Sequence, residues 1–264
     1  MTLVVGQSPA DAPGFRWDGQ HSGDFGMYLL RSPFPLQPAT RDNYLAIPGR
    51  HGDWDFGFDF EGRAIELEVV IRASSEAELW SRARSIAAWL DPAKGERPLS
   101  LDAEPDKYYK ARLAGAVTVE PVAAGIGRAT LPFRASDPFA YAVEDDVFTY
   151  AGPGLYQFTR KGTAPSHPRF EITGTSPASG RFTITLNGKA IRYTGALAAG
   201  ETLVLDSETL TAYRQTPQGA LSAIAGLDSL DFPVAVPGSN TLALAVEGGA
   251  TLTQARITCR SRWL

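Results

Sequence analysis

Short runs of alternating apolar and polar residues recur along this chain, and a period of two is the signature of strands with one buried face. Residues 53 to 60, DWDFGFDF, alternate Trp54, Phe56, Phe58 and Phe60 with Asp53, Asp55, Gly57 and Asp59. This predicts a half-buried strand whose aromatics share a face. After Glu61-Gly62 the run AIELEVVIR sets Ile65, Leu67, Val69 and Ile71 on one side, so the two runs read as a hairpin. Beyond residue 142 come PRFEITG, RFTITLNG, KAIRYTG, ETLVLDS, TLTAYR, NTLALAVEG and TLTQARITCR. They recur about every ten residues, the spacing of an antiparallel sandwich. Asn187-Gly188 between two of them predicts a type I′ turn, because both central positions of that turn need positive φ. A two-residue loop there sets Ile184 opposite Ile191 and Phe182 opposite Tyr193.

One helix interrupts the strands. Ser75 and Glu78 form a capping-box pair, and Leu79, Ala83, Ile86 and Leu90 recur at helical spacing until Asp91-Pro92 ends the run. The expected architecture is mainly β with a single amphipathic helix. A β-rich first domain over 1–142 is followed by a β-sandwich over 143–264, and the last run, QARITCRSRWL, either completes the sandwich or returns to the first domain. The boundary falls in ASDPFAYAVEDDVFTYAGP, a locally acidic stretch containing proline.

Charge narrows the function classes. The 264 residues carry 25 Lys/Arg and 29 Asp/Glu. Residues 1–142 hold 15 basic and 19 acidic side chains, whereas 143–264 hold ten of each, so the whole acidic excess lies in the first half. Without clustered Lys/Arg there is no general attraction for phosphate backbones, which argues against a nucleic-acid binder. The lone Cys259 forbids an intrachain disulfide. The opening MTLVVGQSPAD has neither a basic start nor a long apolar core, and no stretch approaches the roughly 18 apolar residues of a membrane span. No membrane insertion is expected, and synthesis in the cytoplasm fits best.

Enzyme signatures are sparse. No G-x-S-x-G, H-E-x-x-H, Walker or dinucleotide-binding motif occurs, and the pairs Gly125/Gly127 and Gly152/Gly154 read as turns. His21, His51 and His167 are scattered in loop-like sequence, and Cys259 reads as a small buried residue in a strand. No cofactor or metal site is expected. The row Asp53, Asp55, Asp59 and Glu61 is the best remaining candidate for chemistry, since paired carboxylates can hydrolyse glycosides and oxygen clusters can hold calcium. The Trp and Phe between those acids favour a strand with a wet acidic face over a calcium loop. Tyr108-Tyr109 and Trp80/Trp89 could stack on sugars, but core or interface packing suits them better.

Four segments resemble the distal tail proteins of long-tailed, non-contractile bacteriophages and related tail-derived particles. They are FRWDGQHSGDFGMYL (15–29), YLAIPGRHGDWDFG (44–57), AAWLDP followed by LDAEPDKYYKARL (101–113), and LPFRASDPFAY (131–141). FPVAVPGSNTLAL (232–244) is similar to the family's final P-G-x-N turn, and Ala103 departs from the family in standing where many members have an acid. The resemblance implies a ring-forming first domain of six copies and a jelly-roll second domain similar to galectins or carbohydrate-binding modules. It implies a structural adaptor with no enzymatic activity, located in the virion at the distal end of the tail. The implied partners are the chain itself, the tail tube protein, the tail hub and receptor-binding or fibre proteins, with DNA passing through the lumen unbound.

Within that reading Asp53, Trp54, Asp55, Phe56, Asp59, Glu61, Tyr108 and Tyr109 are candidates for the subunit interface or the lumen. Pro48, Gly49 and Arg50 form the motif turn, Pro presetting φ and Gly accepting positive φ. Six copies of an acidic first domain would repel phosphates along a DNA channel. The competing readings are a carbohydrate-binding sandwich module and a carboxylate-dependent glycoside hydrolase.

Overall fold

The computed structural model of the chain describes residues 13–32 and 36–264. The opening MTLVVGQSPAD lies outside the described residues. The chain divides into two compact units, one up to Val143 and one spanning Glu144–Trp263, and each is taken by itself.

The first unit contains β1 (Phe15–Trp17), β2 (Gln20–His21), β3 (Met27–Arg31), β4 (Thr40–Ala46), β5 (Asp53–Phe60) and β6 (Arg63–Arg72). The helix α1 (Glu76–Trp89) leads to β7 (Arg97–Leu101), β8 (Lys107–Leu113), β9 (Glu120–Ala123), β10 (Ile126–Ala135) and β11 (Ala140–Ala142). The main sheet runs β2-β1-β7-β8-β10-β6-β3, with β9 also on β10 and β11 on β8. β6 and β10 pair along their whole lengths, from Ile126 opposite Arg72 to Ala135 opposite Arg63. Their alternation buries Ile65, Leu67, Val69, Ile71, Ala129, Leu131 and Phe133.

The helix starts as its capping pair predicts, with Ser75 Oγ accepting the Glu78 N–H at 3.2 Å. The reciprocal half differs: the Glu78 carboxylate accepts the N–H and hydroxyl of Ser74 instead of the N–H of Ser75. Leu79, Ile86 and Trp89 face the sheet. Trp89 organises an aromatic centre, its ring stacking on Phe25 at 4.4 Å and Phe15 at 5.6 Å and meeting Trp17 edge-on at 6.3 Å. Both indoles are satisfied: Trp89 Nε1 donates to the Trp17 carbonyl and Trp17 Nε1 to the Ala111 carbonyl. Residues far apart in sequence thus converge on one buried cluster, where edge-on and offset contacts add to the area buried.

The second unit is a two-sheet antiparallel sandwich. Its strands are β12 (Asp146–Ala151), β13 (Gly154–Arg160), β14 (Arg169–Thr175), β15 (Arg181–Leu186), β16 (Lys189–Thr194), β17 (Thr202–Asp206), β18 (Thr211–Thr216), β19 (Gly219–Ser222), β20 (Gly238–Glu247) and β21 (Thr251–Cys259). One sheet runs β12-β21-β14-β17-β18-β19 and the other β13-β20-β15-β16. Phe170, Ile172, Phe182, Ile184, Leu203 and Ile257 are among the side chains that fill the space between them. The Asn187-Gly188 turn takes φ of +51° and +84°, and it pairs Ile184 with Ile191 and Phe182 with Tyr193. The acidic stretch read as a boundary is largely strand: Phe148 and Tyr150 of β12 pack against the sandwich core. No helix among the described residues is long and apolar enough to cross a membrane.

Candidate assembly surface

DWDFGFDF is a strand, but its partner is not the run that follows it. β5 pairs with β4 in a separate two-stranded ribbon, while β6 has β10 on one edge and β3 on the other. β3 occupies its edge of β6 only from Glu68 to Ile71, and the Glu61 N–H closes the base of the ribbon on the Ala39 carbonyl at 2.8 Å.

The expected half-burial also fails within the chain. Trp54, Phe56 and Phe58 are 48%, 64% and 56% exposed, and Tyr44 and Leu45 opposite them are exposed as well. A ribbon of two strands has no third layer to cover either face.

Nor do the four aromatics share a face. Trp54 lies opposite Leu45 and Asp55 opposite Tyr44, yet Phe58 lies opposite Asp42, so β5 spends one extra residue at Phe56-Gly57. Such a bulge reverses the facing of everything beyond it. Gly57 has φ of +90°, and its N–H donates to Asp55 Oδ1 at 2.7 Å. One face therefore carries Asp42, Tyr44, Asp53, Asp55, Phe58 and Phe60, and the other Leu45, Trp54, Phe56 and an Arg41–Asp59 pair at 3.2 Å. On the first face Asp42, then Asp55, burial and Asp53, push the Tyr44 phenol above its ordinary range. At the far end of the ribbon Ile47 accepts the Arg50 N–H at 3.2 Å across Pro48-Gly49, with Gly49 at φ +81°. The Arg50 guanidinium lies 4.7 Å over the Trp54 ring.

The tyrosine pair separates. Tyr108 is half-buried and stacks on Tyr141 at 5.8 Å. Tyr109 is a core residue rather than a surface one, its phenol pushed up to about 12 by burial, with Arg63 above its ring. Trp80 is exposed while Trp89 is buried, because only Trp89 falls on the helix face turned to the sheet. The LDAEPD segment acts as a clasp: Asp102 Oδ2 accepts the Gly14 N–H at 2.7 Å and lies 3.0 Å from His21 Nε2.

Beside α1 a groove of about 590 Å³ is lined by Met27, Ile71, Trp80, Ala87, Val117 and Leu131, among others. Sequence reasoning did not find it, since it combines the helix with the irregular segment after Leu113. In the second unit a charged cleft of about 250 Å³ sets Glu171 between Arg169 at 2.9 Å and Arg256 at 3.0 Å. No Trp, Tyr or Phe lines it. No group of three or more His, Cys, Asp or Glu among the described residues could hold a metal ion.

Residues 24–135, which span the ribbon, the helix and most of the main sheet, match a family of phage tail proteins described as the RIFT-related domain. Over most of its length the first unit is thus similar to a phage tail protein domain. The whole fold is that of the Dit protein of phage SPP1, whose crystal structure is described as a paradigm of the hub adsorption apparatus in phages infecting Gram-positive bacteria. That match has a TM-score of 0.79 at 16% identity and covers 96% of this chain and 100% of that one. A chain of the phage p2 baseplate in its activated conformation with strontium matches at a TM-score of 0.51 and 11% identity, over 94% of this chain and 98% of that one. None of the curated proteins matches. The match of residues 24–135 supports a structural role in a phage tail, with the tail of the virion as the corresponding location.

Proposed function

We propose that this chain is the distal tail protein of its particle, a homohexameric ring adaptor. Residues 1–142 would form the ring around the DNA channel and 143–264 would project as the sandwich module. The ring joins the tail tube protein on one side to the tail hub on the other, with receptor-binding or fibre proteins attached around it. The reading requires no enzymatic step and no cofactor.

The observation that carries it is the β4–β5 ribbon. Five large apolar side chains, Tyr44, Leu45, Trp54, Phe56 and Phe58, are exposed on a ribbon too thin to bury them, and a patch of that kind is covered by assembly. In a cyclic assembly one surface of each copy meets a different surface of the next, and the ring closes without loose ends. The Gly57 bulge refines where the acids go: Asp53 and Asp55 share a face, whereas Asp59 lies on the other, paired with Arg41. Only the face with Asp42, Asp53 and Asp55 is a coherent acidic wall for a DNA channel.

Negative-stain electron microscopy with light scattering tests this directly. A six-membered ring with a central channel is expected, and a chain that remains monomeric at high concentration, alone and with tail tube protein, overturns it. Asp53→Lys and Asp55→Lys should leave the ring intact while making it retain DNA in a salt-dependent manner.

A further inference from the structure

We infer that Asn187 is a spontaneous modification site of the sandwich unit: its amide is set up for deamidation through the Gly188 nitrogen, and its contacts with Asn240 and Thr241 hold that reaction off while the β15–β16 turn stays closed. The chain has three asparagines, Asn43, Asn187 and Asn240, followed by Tyr44, Gly188 and Thr241. Only at Asn187 is the next backbone nitrogen unshielded by a side chain. Both residues of that turn are exposed to water.

The chemistry needs no partner but water. The Gly188 nitrogen attacks Cγ of Asn187 and gives up its proton, the Cγ–Nδ2 bond breaks, and ammonia leaves behind a cyclic imide. Water then opens the imide at either carbonyl, giving aspartate or an isoaspartate whose main chain runs through the side-chain carbons. No oxidant or reductant is involved. For the first step Cγ must swing away from its hydrogen-bond partners toward the Gly188 nitrogen.

The contacts of the turn oppose that swing at both ends of the amide. Asn187 Nδ2 donates to Asn240 Oδ1 at 2.8 Å, and Asn187 Oδ1 accepts the Thr241 N–H at 3.0 Å. The Asn187 N–H donates to the Thr241 carbonyl at 2.9 Å, so main chain and side chain are tied to the same neighbouring strand, β20. Asn240 is not free to turn its own amide around. Its Oδ1 also accepts the Val236 N–H at 2.9 Å, and its Nδ2 donates to the carbonyls of Val236 and Gly238 at 3.0 and 2.9 Å. A carboxylate at 187 would set an acceptor oxygen against Asn240 Oδ1 where a donor now sits, and a buried polar group left without its partner is costly. Deamidation therefore starts from the open turn and leaves a product that favours it, which makes the change one-way.

The test follows position 187 of the full chain by peptide mass spectrometry during incubation at mildly alkaline pH, with isoaspartate as the mark of the imide route. The unaltered folded chain should keep its amide, while the urea-unfolded chain loses it at least about tenfold faster. Asn240→Ala under native conditions should speed the loss roughly tenfold, because removing a buried hydrogen-bond partner makes local opening more frequent. Ile172→Val, a core change away from the turn, also lowers the stability of the sandwich, yet it should leave the rate within about twofold of the unaltered chain. If Asn240→Ala lacks native near-ultraviolet circular dichroism, Asn240→Ser, too short to reach Asn187, takes its place with the same expectation. Loss from the folded unaltered chain as fast as in urea, or equal acceleration by the Asn240 and Ile172 variants, overturns the proposal.

Discussion

Asp55 accepts the backbone N–H of Gly57 at 2.7 Å, and this two-residue loop within a strand decides which side chains each face of the ribbon presents. Gly57 sits at φ +90°, where a β-branched side chain is strained by about 1–2 kcal/mol. Gly57→Val should therefore drive the strand back toward unbroken alternation and move Phe58 and Phe60 to the face of Trp54. Ring formation should be lost while the thermal midpoint of the monomer shifts little, because the ribbon contributes none of the core. Normal rings from this variant would show that the bulge is not required.

Much of the fold was legible, because its determinants are local. Period-2 runs, the Ser75–Glu78 pair and Asn187-Gly188 each act within a few residues. Partner choice is not local: the polar TRDNYLA of β4 gives little sign that it pairs with DWDFGFDF. A glycine inside a strand pattern often marks a bulge, as Gly57 does where β5 spends its extra residue against β4. In KYYKARL the alternation that buries Ala111 and Leu113 also buries Tyr109 and turns Tyr108 outward. The groove was invisible because it is a shape, formed where irregular residues 114–119 pass the helix.

Glu78 gives the helix start a definite acid sensitivity. The Ser74 hydroxyl, the Ser74 N–H and then Arg82 hold its carboxyl at about 2, below the ordinary 4.5. A depressed folded pKa contributes stability that is full above about 4.5 and is lost as pH falls toward 2. Glu78→Gln should lower the unfolding midpoint at pH 6, and the gap from the unaltered chain should close as pH approaches 2. Thermal melts followed by circular dichroism at several pH values check this, and a gap independent of pH would refute it.

The P-G-x-N turn is held by a buried amide. Asn240 Oδ1 accepts the Val236 N–H at 2.9 Å and Asn187 Nδ2 at 2.8 Å, while Asn240 Nδ2 donates to the carbonyls of Val236 and Gly238. Asn240→Ala strands these groups, at a cost of about 1–3 kcal/mol. The neighbouring exposed Thr241→Ala should change stability by no more than about 0.5 kcal/mol. Urea unfolding of the two variants should separate them clearly, and equal effects would mean the amide network is not what holds the turn.

Cys259 is fully buried in the sandwich core, and burial pushes its thiol up to about 12 from an ordinary 9. Alkylation needs the thiolate and access to it, so the folded chain at pH 8 should resist iodoacetamide while the urea-unfolded chain takes up one equivalent. The raised pKa also has a linkage consequence. The neutral thiol's contribution is complete below pH about 9 and declines as pH rises toward 12, because only the unfolded chain readily ionises there. Cys259→Ala should lose some packing at every pH, and its stability deficit against the unaltered chain should shrink across that alkaline range. Rapid labelling of the folded protein at pH 8 would mean that the sandwich opens around β21 far more often than its packing implies.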